Sequence, residues 1–190
     1  MKRGTPETRD RFVQAMLALC ARKDINKISV RDVLEESGAA RQTFYNCYHD
    51  INDLILHVPF AIAESCGDGL YTQDACTNLF RLAVEERSFF EQLPHHTGQN
   101  CFRDSYIKKL KDIYYHALFH GAPCEIAVQK AQIDAYIYGI VDLFMQWCAT
   151  GMADDPQWIS EVIFSMKPPF MDADPLPDYC ARQGVFSLEA

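Results

Sequence analysis

Apolar positions along the chain recur every three or four residues, the period of a helix buried on one face. The first such run follows Thr5-Pro6-Glu7, a start signal of capping hydroxyl, proline and first-turn acid. It carries Phe12, Met16, Leu19 and Cys20 on one stripe and extends to about Lys23. A second, shorter run places Val30, Val33 and Leu34 at helical spacing behind Ser29, with Asp32 three residues on from that serine. This is a capping box with Asp in the acid position. The run stops at Ser37-Gly38, where glycine supplies the left-handed backbone that reverses a chain within a few residues. A third helix is predicted from about Ala40 to Cys47, with Phe44 and Tyr48 paired on its core side.

Further on, Asp50 and Asp53 predict the start of a fourth helix through Leu54, Ile55 and Val58, and Pro59 predicts a kink or break within it. Cys66-Gly67-Asp68-Gly69 breaks the chain. Helical patterns then cover Thr72 to Leu93 (Leu79, Leu82, Ala83, Phe90) and about Asn100 to Phe119 (Tyr106, Leu110, Ile113, Tyr114). Pro94 to Gly98 forms the loop between them. The longest and most apolar pattern spans about Glu125 to Thr150 and covers more than one face, so it needs cover from its own body and from something else. Gly151 ends it, and Asp155-Pro156 starts a last helix through Ile159, Val162, Ile163 and Met166. Beyond Lys167, four prolines in ten residues (Pro168, Pro169, Pro175, Pro177) predict an extended tail. The fold class is all-α: a three-helix head (1–50), a helical-bundle body (51–167) and the tail (168–190).

The head ends in a helix, a glycine turn and a polar second helix, the helix-turn-helix arrangement whose second helix enters a DNA major groove. The formal net charge of -8 argues against nucleic acid until its distribution is read. Residues 1–49 hold nine Lys or Arg against six Asp or Glu, so a basic head sits on an acidic body. Eight scattered cysteines without C-x-x-C read as small buried residues in a reducing cytosol. No apolar run is long enough for a bilayer, so the expected location is cytoplasmic, on the nucleoid, with no membrane partner.

Over residues 9–58 the chain resembles the DNA-binding domain of the TetR family of bacterial transcriptional regulators. The matching positions are Thr8-Arg9, Ser29-Val30-Arg31-Asp32-Val33, Gly38, Thr43-Phe44-Tyr45, Tyr48 and Asp53-Leu54, all in one register. Leu34, Ala39, Ala40 and Ile51 depart from the family's usual Ala, Val, Ser and Lys. Ala40 forgoes a side-chain cap worth about 1 kcal/mol, and Ile51 a phosphate contact. A looser likeness runs from Tyr138-Gly139-Ile140 through Trp147, Gly151 and Pro156 to the family's last two helices, which pair with those of a second subunit.

These observations define the expected sites. DNA contacts fall to Arg41, Gln42, Thr43, Tyr45, Asn46 and Tyr48, with Arg31, Ser29 and Arg9 beside them. Arg41 and Gln42 have the donors to read bases, and Thr43 and Tyr45 the hydroxyls to hold phosphate. Tyr48 also reads as a core aromatic. The resemblance implies an effector cavity in the body without choosing its residues; the candidates are Phe90, Phe102, Tyr106, Tyr114, Tyr136 and Phe144, aromatics at helical spacing that also read as core. It also implies a subunit interface of Ile137, Ile140, Val141, Phe144, Trp147, Ile159 and Ile163. The expected function is a dimeric, ligand-responsive DNA-binding regulator of the repressor kind, with operator DNA, a second copy and a small-molecule effector as partners. No cofactor, metal or catalytic residue is expected: there is no nucleophile–base pair, phosphate loop or H-E-x-x-H. The competing readings are a cysteine or metal sensor (His116, His120, Cys124) and a helical interaction module that no longer binds DNA.

Overall fold

The computed structural model describes residues 5–65, 72–119 and 127–172, and regular structure among them is helical. The head comprises α1 (Pro6–Cys20), α2 (Val30–Ser37) and α3 (Arg41–Tyr45), with a 3-10 turn at Ile25–Lys27. The body follows as α4 (Ile51–Ser65), α5 (Gln73–Glu85), α6 (Arg87–Phe90), α7 (Phe102–Phe119), α8 (Ala127–Ala149) and α9 (Pro156–Ser165). Two further 3-10 turns lie at Leu93–His95 and Pro169–Asp172.

Local chemistry sets the ends of the head helices. Ser29 Oγ accepts the Asp32 N–H at 3.3 Å and Asp32 Oδ2 accepts the Ser29 N–H at 2.8 Å, closing the capping box. Gly38 ends α2 at φ 65°. Ala40 opens α3 with no side-chain cap. The Thr5 hydroxyl meets Thr8 Oγ1 at 3.1 Å instead of capping a backbone N–H. Phe12, Met16, Val33 and Phe44 are wholly enclosed. The Phe12 ring meets Phe44 edge-on at 5.3 Å and Tyr48 at 6.0 Å.

Helix α4 carries the chain from head to body. Asp50 Oδ1 accepts the Asp53 N–H at 3.0 Å, while Asp53 Oδ2 accepts from His49 N–H at 2.8 Å. Pro59 lies inside α4 without interrupting it, although it removes one helical N–H and leaves the Ile55 carbonyl without that donor.

Two body segments differ from the pattern reading. The run from Thr72 to Leu93 is two helices, because Glu86 (φ -94°, ψ 31°) leaves the helical region and turns α6 toward the head. Helix α8 takes part of its cover from its own protomer, where Tyr106 of α7 lies 6.3 Å from Phe144 and Phe80 of α5 lies 5.2 Å from Trp147, while Val128 and Tyr138 stay exposed. The tail begins as a 3-10 turn, not an extended strand, since Met171 is fully buried in the core. Residues beyond 172 lie outside the described chain, as does the break at Cys66 to Gly69.

Candidate nucleic-acid interface and effector cavity

The five residues of α3 divide cleanly. Phe44 is buried and anchors the helix, while Arg41, Gln42 and Tyr45 are exposed and Thr43 is half-buried. The outward side chains are paired one turn apart. Arg41 donates to the Tyr45 hydroxyl at 3.2 Å, and its guanidinium lies 5.3 Å from the centre of that ring. Gln42 Nε2 donates to Asn46 Oδ1 at 3.1 Å. Such pairs restrict rotamers before any partner arrives, which lowers the entropy lost on binding. Arg11 Nη2 donates to the Ser37 carbonyl at 2.7 Å and so ties α1 to the turn ahead of α3.

Most cations of the head are already engaged. Arg22 pairs with Glu36, Lys23 with Asp32 at 2.7 Å, and Arg31 with Glu35 at 2.7 Å. The Lys23 ammonium and the Ser29 hydrogen bonds hold the Asp32 carboxyl well below the usual carboxylate range. Arg41 and Lys27 are exposed with no acid within ion-pair reach among the described residues.

Three expected DNA contacts sit otherwise. Tyr48 is 2% exposed, and its hydroxyl hydrogen-bonds His57 Nδ1 at 2.8 Å, so it is a core residue and not a contact. Arg9 is half-buried beneath the head, its Nε enclosed with no acceptor among the described residues. Its charge bears on His57, Tyr48 and Glu64. Ser29 is exposed, but its hydroxyl lies 2.6 Å from Asp32 Oδ2 and donates there. Arg31 is exposed and held by Glu35.

Polar links that the sequence did not signal fix the head on the body. Burial, then the Arg9 charge, brings His57 from its ordinary 6.5 down to about 4, so the neutral ring bonded to Tyr48 persists at neutral pH. Gln92 reaches back from the body: its Oε1 accepts the Ile25 N–H at 2.7 Å and its Nε2 donates to the Cys20 carbonyl at 2.8 Å. Asn26 Nδ2 donates to the His95 carbonyl at 2.9 Å, and Asn26 Oδ1 accepts the Thr97 N–H at 2.9 Å. These partners stand about seventy residues apart in sequence, and no local pattern announces them.

A cavity of about 70 Å³ lies between α4, α5, α6, α7, α8 and α9. Phe90, Tyr106, Tyr114, Tyr136 and Phe144 line it, together with Pro59, Cys76 and Ile140. Phe102 does not reach it and stacks on Tyr106 at 5.0 Å. Burial pushes the Tyr106 and Tyr136 hydroxyls up and the Cys76 thiol up to about 11. Cys20 rises to about 12 and Cys148 rises as well, both through burial. Thiols held protonated in this way are poor nucleophiles.

The residues expected at a subunit interface are interior. Ile137, Val141, Phe144, Trp147, Ile159 and Ile163 are all buried within one protomer, and the half-exposed Ile140 faces the cavity. Among the described residues the exposed large apolar side chains on and beside the last two helices are Val128 (72% exposed), Tyr138 (45%), Trp158 (48%) and Met166 (42%). Met166 lies against Gly139, beside Tyr138, and with Trp158 and half-buried Val162 it forms one stripe of α9. Among the described residues no three His, Cys, Asp or Glu converge on a metal position, and no helix is long and apolar enough to cross a membrane. His120 and Cys124 lie outside the described chain.

Comparison with known proteins bears on the body and the whole fold. Residues 71–167 match the family model of the TetR-type transcriptional regulator C-terminal region. The structure is similar to that of the dihydroxyacetone kinase operon activator DhaS, with TM-score 0.56 and 17% identity over 85% of this chain and 94% of that one. A protein from Syntrophomonas wolfei str. Goettingen, provisionally assigned to the TetR family, aligns with TM-score 0.49 and 17% identity over 84% of this chain and 92% of that one. A search of curated protein sequences returns no match. With half its length matched by that C-terminal region, the chain belongs to the TetR family of transcriptional regulators.

Proposed function

We propose that this chain is a sequence-specific DNA-binding regulator that acts as a homodimer, represses its target and releases the operator when a small molecule fills the body cavity. One observation carries the DNA-binding reading. The polar side of α3 (Arg41, Gln42, Tyr45) is open while Phe44 holds the opposite side in the core. Side chains so placed can reach base edges and phosphates in a major groove. Two copies joined by a two-fold axis would set their α3 helices about 34 Å apart, one turn of duplex. The stripe of Trp158, Val162 and Met166 with Tyr138 is the surface we assign to the second copy.

Coupling has a physical route. Pro59 lines the cavity, and His57, two residues earlier on α4, holds Tyr48 at the end of the recognition segment. A ligand that moves Pro59 shifts the support of α3, and operator DNA must weaken that ligand's binding in equal measure. Repression is the sign we propose, since an occupied operator needs no further contact to block transcription. DhaS is named an activator, so a reporter whose output falls when this chain is deleted would reverse the sign.

Selection of bound duplexes from a random pool tests the core of the proposal. Two-fold symmetric sites with half-sites one helical turn apart are expected. Recovered sequences no different from the input would defeat it.

A further inference from the structure

The lining of the cavity specifies what it can admit. The lining side chains that carry a polar group are Tyr106, Tyr114, Tyr136 and Cys76, and no charged side chain stands among the described lining residues. The neighbours that bear on Tyr106 and Tyr136 are themselves thiols and a tyrosine. A carboxylate or ammonium entering this space would surrender its hydration with no opposite charge to replace it. A neutral group that bonds one hydroxyl, with its apolar remainder against Leu79, Phe80 and Phe144, meets no such penalty.

Volume narrows the class further. The cavity encloses about 70 Å³, whereas an apolar protein cavity that holds benzene measures roughly 150 Å³. A single ring therefore enters only if the wall yields, and a larger group asks more of it. We infer that the effector is a neutral, mainly apolar molecule of single-ring size carrying one hydrogen-bonding group, received by the tyrosine hydroxyls. This rests on the effector reading above and sets its ligand class.

The test uses the full chain without DNA and four probes of one shape: p-cresol, toluene, 4-methylbenzoate and 4-methylbenzylamine. Titration calorimetry should show p-cresol binding at least about tenfold more tightly than either ionised congener. Ala83→Leu, which fills the cavity, should abolish binding. If that variant does not fold, Tyr136→Phe keeps the shape and should bring p-cresol down to the level of toluene. Equal or tighter binding of a charged congener overturns the inference, as does failure of p-cresol and toluene alike to bind at millimolar concentration. Binding is read without an operator, so the two readings fail separately. A chain that binds p-cresol but selects no duplex contradicts the regulator proposal alone. One that selects duplexes but prefers the benzoate contradicts the ligand class alone.

Discussion

Head and body are built from the same amphipathic helices and put them to opposite uses. In the head, one small helix is pinned from below by Phe12 and Phe44, and its open side chains are paired above it. In the body, longer helices close around space that their side chains do not fill. On the proposed function, a surface that matches a rigid duplex gains from lost freedom, whereas a site that responds to a ligand needs a wall that can give. The two regions share one apolar core, and hydrogen bonds, Tyr48 to His57 and Gln92 to Ile25, cross the junction. Each variant below removes one part of that contrast.

The largest effect is expected from Phe44→Ala. Removing a wholly buried ring costs about 3–5 kcal/mol, and here it also removes the floor of α3. Urea unfolding should show that loss, and operator binding should vanish. Phe144→Ala, against the cavity, should cost less for the same deleted atoms because it extends space that already exists. Equal losses at the two sites would mean that the head is no better packed than the body.

Acid should act next, and through the junction. An unfolded imidazole takes up its proton near 6.5, while His57 in the fold does so only at about 4. Between those values the unfolded chain binds more protons, so stability falls as pH falls, by at most about 3 kcal/mol in total. Above about pH 6.5 this contribution is constant. His57→Gln should flatten the dependence between pH 6.5 and 4, as read by the urea midpoint at each pH. A slope unchanged by that substitution would exclude His57 as its source.

Gln92→Ala should cost about 1–3 kcal/mol, since it strips the Ile25 N–H and the Cys20 carbonyl of their side-chain partner. Amide exchange at Ile25 should quicken while exchange in α8 stays as it was. Spread of the change into α8 would show that head and body unfold as one unit.

How much of this was legible follows from the reach of each signal. The capping box at Ser29, the turn at Gly38 and the burial of Phe44 each depend on residues within ten positions, and all are visible in the pattern. Gln92 bonds a backbone group 67 residues away, a distance over which periodicity carries nothing. Helix α8 was legible only in part. Apolar residues on several faces show how much of a helix needs cover, not by what, and α5 and α7 of the same protomer cover Phe144 and Trp147 while Tyr138 stays exposed. The aromatic positions of the cavity were legible because five of six fall on the inward stripes of α6, α7 and α8, while Phe102 misses by stacking on its neighbour. Tyr48 was split between two roles, and its bond to His57 decides for the core.

The smallest effect concerns how little free charge the head offers. Arg31 is 85% exposed at its side chain and lies on the first helix of the helix-turn-helix, yet Glu35 holds it at 2.7 Å. To meet a phosphate it must leave that carboxylate, so the ion pair competes with DNA. Glu35→Gln removes the competitor and leaves the helix length and hydrogen-bonding capacity intact. Operator affinity should rise roughly two- to fivefold, because exposed ion pairs are weak and so is the gain from breaking one. The informative measurement is the salt dependence. A released arginine that reaches phosphate should steepen the slope of log K against log salt by about 0.9 for each contact made. Tighter binding with an unchanged slope would mean that Glu35 acted by long-range repulsion, and that Arg31 never touches the duplex.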